Sequence, residues 1–568
     1  YIRFLINFSL LNGLNTMSKK EKHQIKSQAS SKTAAANVGR KSDLFDKIET
    51  WFEKHNKKVF YLLLVVSTLF SYILFDAKVS DGGDDSSYIE RAWSLLHEGK
   101  FPYFQGPGYP IFLSIVVKIF GLNVIALKMF SVVCQFGFVW FTYKAFVKRI
   151  PFTVLFALIS FISVNSFIQY YSSQTFTETF FLFIQAISFY VVFKIIDSIK
   201  TEQNLMSSFK DNYWKWILFG LLFVLLSISK SVAIVAIVAV LLYFVLNKNY
   251  KQAIFALASF IIIRLIYTYV TTSMYGASTS DQFEMILRKE LYKPELGYEN
   301  FGGMLTRFFD NCNTYFSLHI YRIMHLRPDK YDITSFVPFF AFLTSMYILV
   351  CTFLGYKKNK FMFFSGLYVV ILCGGIFFGI QAQNMQDRLI IIVMPFIFLL
   401  LFYWMYMLAK KYSWMQTFFI LFVSGMLLWN VYCSVNKVKE NEKTAAYTPD
   451  WQNFLEMSKY CADSLPDSAQ VLSRKPSMSF LYSGGKKFVG QFVTTSMNAD
   501  TVLMNWEKQK VQYVILANLR MNPAKNNGRV INTIHRMIKP VYDKYPQKIR
   551  LVKSIGIKEK CELYEILY

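Results

Sequence analysis

Long, nearly uncharged apolar runs recur along this 568-residue chain, and they restrict its fold more than any other feature. A run of about 18 or more such residues crosses roughly 30 Å of hydrocarbon as a helix. In lipid every backbone N–H and C=O must find its partner within the structure, so the expected class is a polytopic bundle of α-helices. The spans fall at 59–75, 122–146, 151–168, 176–196, 214–229, 231–246, 252–270, 335–355, 361–380, 389–408 and 414–434, about eleven in all. Composition agrees: 54% of residues are hydrophobic, 18% aromatic and 17% charged, which a soluble domain does not match.

A formal net charge of +26 would ordinarily raise the question of nucleic acid. Here the basic residues sit in short loops between apolar spans: Lys148 and Arg149, Lys200 with Lys210 and Lys215, Lys248 and Lys251, Lys357, Lys358 and Lys360, Lys410 and Lys411. With the N-terminus in the cytoplasm these loops all fall inside, as the positive-inside rule requires, and no nucleic-acid partner is expected. The opposite face then receives 76–121, 169–175, a break at 229–230, 271–334, 381–388 and everything after 435. The short loops suit a bacterial inner (plasma) membrane.

Three regions follow. Residues 1–58 form a basic cytoplasmic tail expected to be disordered, with an 18–41 stretch rich in Ser, Ala and Gln. Residues 1–16 lack the build of a signal peptide and are expected to be a start-site extension. Residues 59–434 form the transmembrane domain, with a first external loop at 76–121 and a large one at 271–334. Residues 435–568 form a soluble extracytoplasmic domain. In it "WQNFLEMSKYCADSL", "ADTVLMNWEKQK" and "NNGRVINTIHRMI" read as helices, and "AQVLSRKP", "VQYVILAN", "IRLVKSIG" and "CELYEILY" as strands. That alternation predicts a small α/β fold. No CxxC occurs, so neither a zinc site nor a disulfide framework is expected; Cys461 and Cys561 could pair if the domain faces an oxidising compartment.

The first external loop concentrates acids: Asp81, Asp84, Asp85, Glu90 and Glu98 lie between Ser80 and Pro102, beside a Gly-Gly pair. "SSYIERAWSLLHEG" has helical spacing, with Ser86 or Ser87 as cap and Gly99 as stop. A second apolar helix is expected over Tyr109–Phe120, and both helices are amphipathic enough to lie along the membrane surface. A carboxylate there, partly desolvated and so raised in pKa, suits a general base that activates an acceptor hydroxyl or amine.

The segment "GDDSSYIERAWSLLHEGKFPYFQGPGYPIFLSIVVKIFG" resembles the first external loop of the GT-C glycosyltransferases, in the branch with protein O-mannosyltransferases and lipid A aminoarabinose transferases. "YYSSQTFTETFFLF", "LLFVLLSISKSVAIV" and "QDRLIIIVMPFIFLL" resemble later motifs of that family, in the same order. The resemblance implies a GT-C fold with Asp84 as catalytic acid/base and Asp85 as its acidic companion. It also implies Tyr88, Glu178, Lys230 and Arg388 near the donor phosphate, with Pro395 in the late motif. It departs at Ser87, where the aminoarabinose branch has Arg, and in "FQGPGYP", which lacks that branch's Lys. The phosphate cation must then come from Lys230, Arg388 or the segment 271–334, which holds Arg288, Lys289, Arg307, Arg322 and Arg327. A leaving phosphate needs such a cation. His319 and His325 lie six apart, a poor spacing for shared metal ligation. No cofactor is expected, although Asp84, Asp85 and Glu178 could hold a divalent cation.

The expected function is an inverting glycosyltransferase. It moves a sugar from a polyprenyl-phosphate donor to a protein, glycolipid or cell-envelope acceptor on the outer face. The alternatives are a polysaccharide polymerase or ligase using a pyrophosphate-linked glycan, and a lipid-linked-sugar flippase. Against transport stand the near absence of ionisable residues from span centres and the absence of an internal repeat.

Overall fold

The computed structural model describes residues 44–104, 106–199, 213–276, 282–290, 296–327, 337–381, 386–443, 445–490, 498–520 and 530–568. Of the disordered tail expected over 1–58, residues 1–43, with the start-site extension, lie outside them, as do parts of the 271–334 and 381–388 loops, while residues 44–58 are helical rather than disordered. Two units are distinguished, 1–56 and 57–568. The described residues of the first, 44–56, are helical, and the account below concerns the second.

Helix α1 is Leu44–Ile73; α2 (Asp84–His97) and α3 (Gly108–Phe120) follow. Next come α4 (Val124–Phe146), α5 (Phe152–Val164), α6 (Ser166–Ser172), α7 (Thr177–Asp197) and α8 (Tyr213–Ser229). A 3₁₀ turn, Ser231–Val235, leads into α9 (Ala236–Leu246) and α10 (Tyr250–Tyr275). Helix α11 (Phe301–Thr314) runs into a π-helical turn, Tyr315–His319. Then come α12 (Pro338–Lys358), α13 (Lys360–Gly379), the short helix Asp387–Ile390, α14 (Met394–Lys411) and α15 (Ser413–Lys443). Among the described residues eight helices are long and apolar enough to cross a membrane, or nine if α5 and α6, bent by 63° at Asn165, count as one. Each of the eleven apolar runs is helical, but α8 and the Ser231–Leu246 stretch are too short to pass on length, so a count of eleven crossings is not reached.

Burial sorts the bundle. Helices α7, α13 and α14 are enclosed along most of their length, whereas α10 packs on α8 and α9 with one side only and buries few of its residues. Its exposed Ile261, Ile262, Leu265, Ile266 and Tyr269 form a surface that only lipid would cover. At the centre Phe189 of α7 stacks on Phe396 of α14 (4.1 Å) and meets Phe364 and Tyr368 of α13 edge-on. From α7, Gln185 takes a hydrogen bond from the Tyr368 hydroxyl (2.8 Å) and donates to the Ile392 carbonyl (2.9 Å). That ties α7 to the backbone just after Asp387–Ile390.

The first surface helix begins three residues earlier than the Ser86 cap predicts. Gly83, at φ 81°, is the cap residue, and Ser86 lies inside the helix with its hydroxyl on the Gly83 carbonyl (2.8 Å). At the C-terminal end, α16 (Pro449–Ser464), β1 (Gln470–Leu472), α17 (Pro476–Tyr482), α18 (Ala499–Lys508), β2 (Val511–Ala517), α19 (His535–Lys544), β3 (Ile549–Ile555) and β4 (Cys561–Ile566) build a four-stranded sheet. Its order is β1-β2-β4-β3, with β1 parallel to β2 and the other pairs antiparallel. Alternate residues feed two cores: Val471, Ile515 and Leu563 face Trp451 and Phe454 of α16, while Leu472 and Val514 face Trp506 of α18 and Met537 of α19. Two expectations are corrected here. The strand expected over "AQVLSRKP" stops at Leu472, because Pro476 opens α17; Pro suits a first helical turn. The helix expected over "NNGRVINTIHRMI" starts only at His535, after a bridge at Val530, while residues 526–529 lie outside the described set. Cys461 and Cys561 share one core and are both free thiols, so the pairing considered for them is not formed.

Candidate active site

The site starts at the Gly82–Gly83 turn. The Gly83 amide donates to the Ser80 carbonyl (3.0 Å), and its left-handed backbone turns the chain into α2, which suits glycine. Asp84 and Asp85 therefore fall in the first helical turn, where unpaired N–H groups and the helix dipole favour carboxylates.

The two acids then part. Asp85 is fully buried and folds back onto the loop, accepting from the Ser80 amide (2.8 Å), the Ser80 hydroxyl (2.9 Å) and the Ser86 amide (2.9 Å). Burial pushes its carboxyl above the usual range, and these hydrogen bonds oppose that. The desolvation expected of a base thus falls on Asp85, whose oxygens are committed to holding the loop. Asp84 keeps about half its side chain exposed, and its Oδ2 accepts from Arg388 Nη1 at 2.6 Å.

From Arg388 a buried chain of charges continues. Its Nε donates to Glu178 Oε1 (3.0 Å), and Lys230 Nζ donates to the same oxygen (2.7 Å). Glu178 is fully buried, and its Oε2 has no hydrogen-bond partner among the described residues. The Arg388 guanidinium also lies over the Phe176 ring, 5.1 Å from its centroid. Two acids and two cations from four separate segments are thus gathered, and their charges balance, which offsets the burial of Glu178, Lys230 and most of Arg388.

Each member is held from behind. Glu178 opens α7, and Gln185 two turns later anchors the backbone that follows Arg388. Asp387, beside Arg388, bonds His319 of the π-helical turn and lies 3.2 Å from Arg322. Lys230 sits in extended backbone between α8 and the 3₁₀ turn, as the expected break requires. The turn 106–108 presses against it: a Cβ on Gly106, which has φ +92°, would come within 2.6 Å of the Ser229 carbonyl oxygen. Only glycine permits that approach.

Tyr88, one turn into α2, is buried edge-on to Tyr109 (5.5 Å) and carries the Arg91 guanidinium 4.9 Å from its ring centroid. Burial raises its phenol, so it stays protonated. Ser87 supplies no charge itself, yet its hydroxyl accepts from Arg91 Nη2 (2.8 Å), so a cation stands one helical turn beyond where the resemblance expected it. Within 271–334, Arg288 pairs with Glu284 (3.0 Å), and Arg307 donates to the Ile286 and Arg288 carbonyls (2.7 and 2.8 Å), which ties that segment to itself. Arg322 and Arg327 instead line a cavity of about 710 Å3 with Tyr170, Tyr171, His325 and Asp387. The volume falls in the ~300–1,000 Å3 range of ligand sites. His319 and His325 go separate ways, the second to the Ser166 hydroxyl (3.0 Å).

The three carboxylates considered for a divalent cation do not converge. Asp85 turns to Ser80, Arg388 stands between Asp84 and Glu178, and among the described residues no group of three or more His, Cys, Asp or Glu could hold a metal. The sequence reading missed Lys128, which is fully buried in α4 and donates to the Asp76 carbonyl (2.7 Å), the Lys78 carbonyl and Gln174 Oε1 (2.9 Å). A lone lysine in an apolar span was its signal.

No family model and no curated protein matches the chain. Solved structures do. The archaeal oligosaccharyltransferase AglB from Archaeoglobus fulgidus, in complex with an inhibitory peptide and a dolichol-phosphate, is 12% identical. It superposes with a TM-score of 0.50 over 82% of this chain and 70% of its own. ArnT from Cupriavidus metallidurans, bound to undecaprenyl phosphate, is 10% identical with a TM-score of 0.50, over 89% of this chain and 97% of its own. The apo form of ArnT matches over the same shares. At such identity the likeness speaks for the fold, and it agrees with the order of motifs in the sequence: the chain is a membrane protein with the GT-C fold.

Proposed function

We propose that the chain is an inverting glycosyltransferase that moves a sugar from a polyprenyl-phosphate donor to an acceptor on the outer face of a bacterial inner membrane. The observation that carries this reading is the Asp84–Arg388–Glu178–Lys230 chain at the mouth of the first surface helix, set in a GT-C fold. The solved relatives bear dolichol-phosphate or undecaprenyl phosphate, which supports a polyprenyl-phosphate partner here. The basic loops support a cytoplasmic N-terminus, with the acidic loop and the 435–568 domain outside.

Asp84 is the residue for the chemistry: half-exposed, at a helix start, and free of the loop-holding bonds that occupy Asp85. As base it takes the proton of the acceptor hydroxyl or amine while that group attacks the anomeric carbon. The bond to the lipid phosphate breaks on the opposite face, which inverts the centre. The departing phosphate is already acidic and needs no proton donor, only cations. Arg388 and Lys230 meet that need, and Arg91 is a third cation nearby. A donor phosphate that draws Arg388 towards itself releases Asp84 from its ion pair, which makes the base available only when donor is bound. Glu178 stays paired with Lys230 and with the Arg388 Nε as the guanidinium turns, with Oε2 left to accept from a sugar hydroxyl.

Asp84→Asn tests the reading. Transfer from a polyprenyl-phosphate sugar should fall by about 100-fold or more, the usual contribution of a general base, with expression and membrane insertion unchanged. Near-normal transfer by that variant sinks the mechanism.

A further inference from the structure

The acidic loop is gripped by residues that lie far along the chain. The Tyr447 hydroxyl donates to the Val79 carbonyl (2.7 Å) and meets the Tyr482 hydroxyl (2.9 Å). Lys475, at the start of α17, donates from Nζ to the Gly82 carbonyl (2.5 Å), and its Cδ and Nζ lie 3.5 and 3.6 Å from where a Gly83 Cβ would stand. Lys487 donates to the Ser94 hydroxyl of α2 (2.6 Å) and pairs with Glu98 (3.2 Å) and Glu90 (3.6 Å). Trp93 of α2 packs edge-on to Phe480 of α17 (5.2 Å). Two carbonyls of the 79–83 loop and one face of α2 are therefore held from the C-terminal domain, and Asp84 stands where loop and helix join.

We propose that Lys475 is a positioning residue: docked on the Gly82–Gly83 turn, it fixes the backbone that presents Asp84 to Arg388, so the site is complete only while the C-terminal domain is seated on α2. The inference rests on the function proposed above and gives that domain a part in the site. The chemistry fits. The turn has a left-handed Gly83, and a glycine pair has little stiffness of its own. A carbonyl held by an ammonium is a charge-assisted contact, stronger than a neutral one. Burial and the neighbouring Arg474 push the Lys475 ammonium down to about 8, while Asp81, Asp84 and Asp85 pull it up, so it remains charged at neutral pH.

The test uses the full chain in lipid nanodiscs, with Lys475→Met, Lys475→Arg and Lys508→Met; Lys508 is an exposed residue of the same domain. Amide exchange over residues 79–86 and transfer kinetics are both read. In Lys475→Met, exchange in that peptide should speed up about tenfold, as expected for one lost charge-assisted hydrogen bond. Its kcat should fall by about tenfold or more while KM for the lipid-linked donor stays within about twofold, because the donor's own contacts are untouched. Lys475→Arg should recover most of both, and Lys508→Met should match the parent. Unchanged exchange over 79–86 in Lys475→Met overturns the proposal, as does an unchanged kcat. Active Asp84→Asn would defeat the function reading instead, and the exchange result would still decide the role of Lys475.

Discussion

At the scale of single residues, the site turns on which carboxylate is occupied. Asp84 and Asp85 are adjacent and chemically alike, but Asp85 gives its oxygens to Ser80 and Ser86, and Asp84 meets Arg388. Arg388 in turn bridges Asp84 and Glu178, using Nη1 for one and Nε for the other. A lysine cannot reproduce that fork. Arg388→Ala should therefore lower transfer by about 100-fold or more, in line with the loss of an electrostatic donor at a leaving group. Arg388→Lys should keep the protein folded and recover only part of the rate. Steady-state assays with a polyprenyl-phosphate sugar read both, and equal activity of the Lys variant and the parent would exclude the bridge as the functional feature.

At the scale of elements, the site depends on how closely backbones approach. The turn 106–108 lies on the end of α8, with room for no side chain at Gly106. Gly106→Ala adds a methyl where only 2.6 Å separates its position from the Ser229 carbonyl oxygen, and it does so at φ +92°. The cost should be roughly 1–3 kcal/mol in strain and displacement. The end of α8 must shift, taking Lys230 from Glu178. A fall in thermal stability together with a weakened apparent affinity for undecaprenyl phosphate is the expected outcome, measured by melting with and without that lipid. Element boundaries were only partly legible beforehand. Apolar runs mark the helices, because lipid demands them. The start of α2 lies three residues before the one a Ser86 cap predicts, since a left-handed Gly83 rather than a serine hydroxyl ends the loop. The strand expected to reach Pro476 was cut short by α17, whose Lys475 then became a contact.

At the scale of the molecule, a lipid-clad bundle and an α/β domain meet over the acidic loop. The domain's sheet is covered on both faces, with Trp451 on one side and Trp506 on the other. Trp506→Ala should cost this domain about 3–5 kcal/mol, the usual loss for emptying a large buried aromatic site. If α2 is held by the seated domain, transfer should fall along with domain protection in hydrogen exchange, although Trp506 belongs to the core of the sheet and not to the Asp84–Arg388–Glu178–Lys230 chain. Full activity with an unfolded domain would separate the two.

Hydropathy was enough to read the helical membrane class, and motif order the fold; Asp84, Glu178, Lys230 and Arg388, singled out by the resemblance, lie together in the structure. Hydropathy, charge placement and motif order are properties of neighbouring residues, and they survive without knowledge of the fold. The division of labour between Asp84 and Asp85, the guanidinium that Arg91 brings to Ser87, the buried Lys128 and the reach of Lys475 to Gly82 were not legible. Each depends on a contact between groups whose approach is set by packing and backbone dihedrals. In the case of Lys475 the partners stand 393 positions apart, so nothing local in either stretch announces the other.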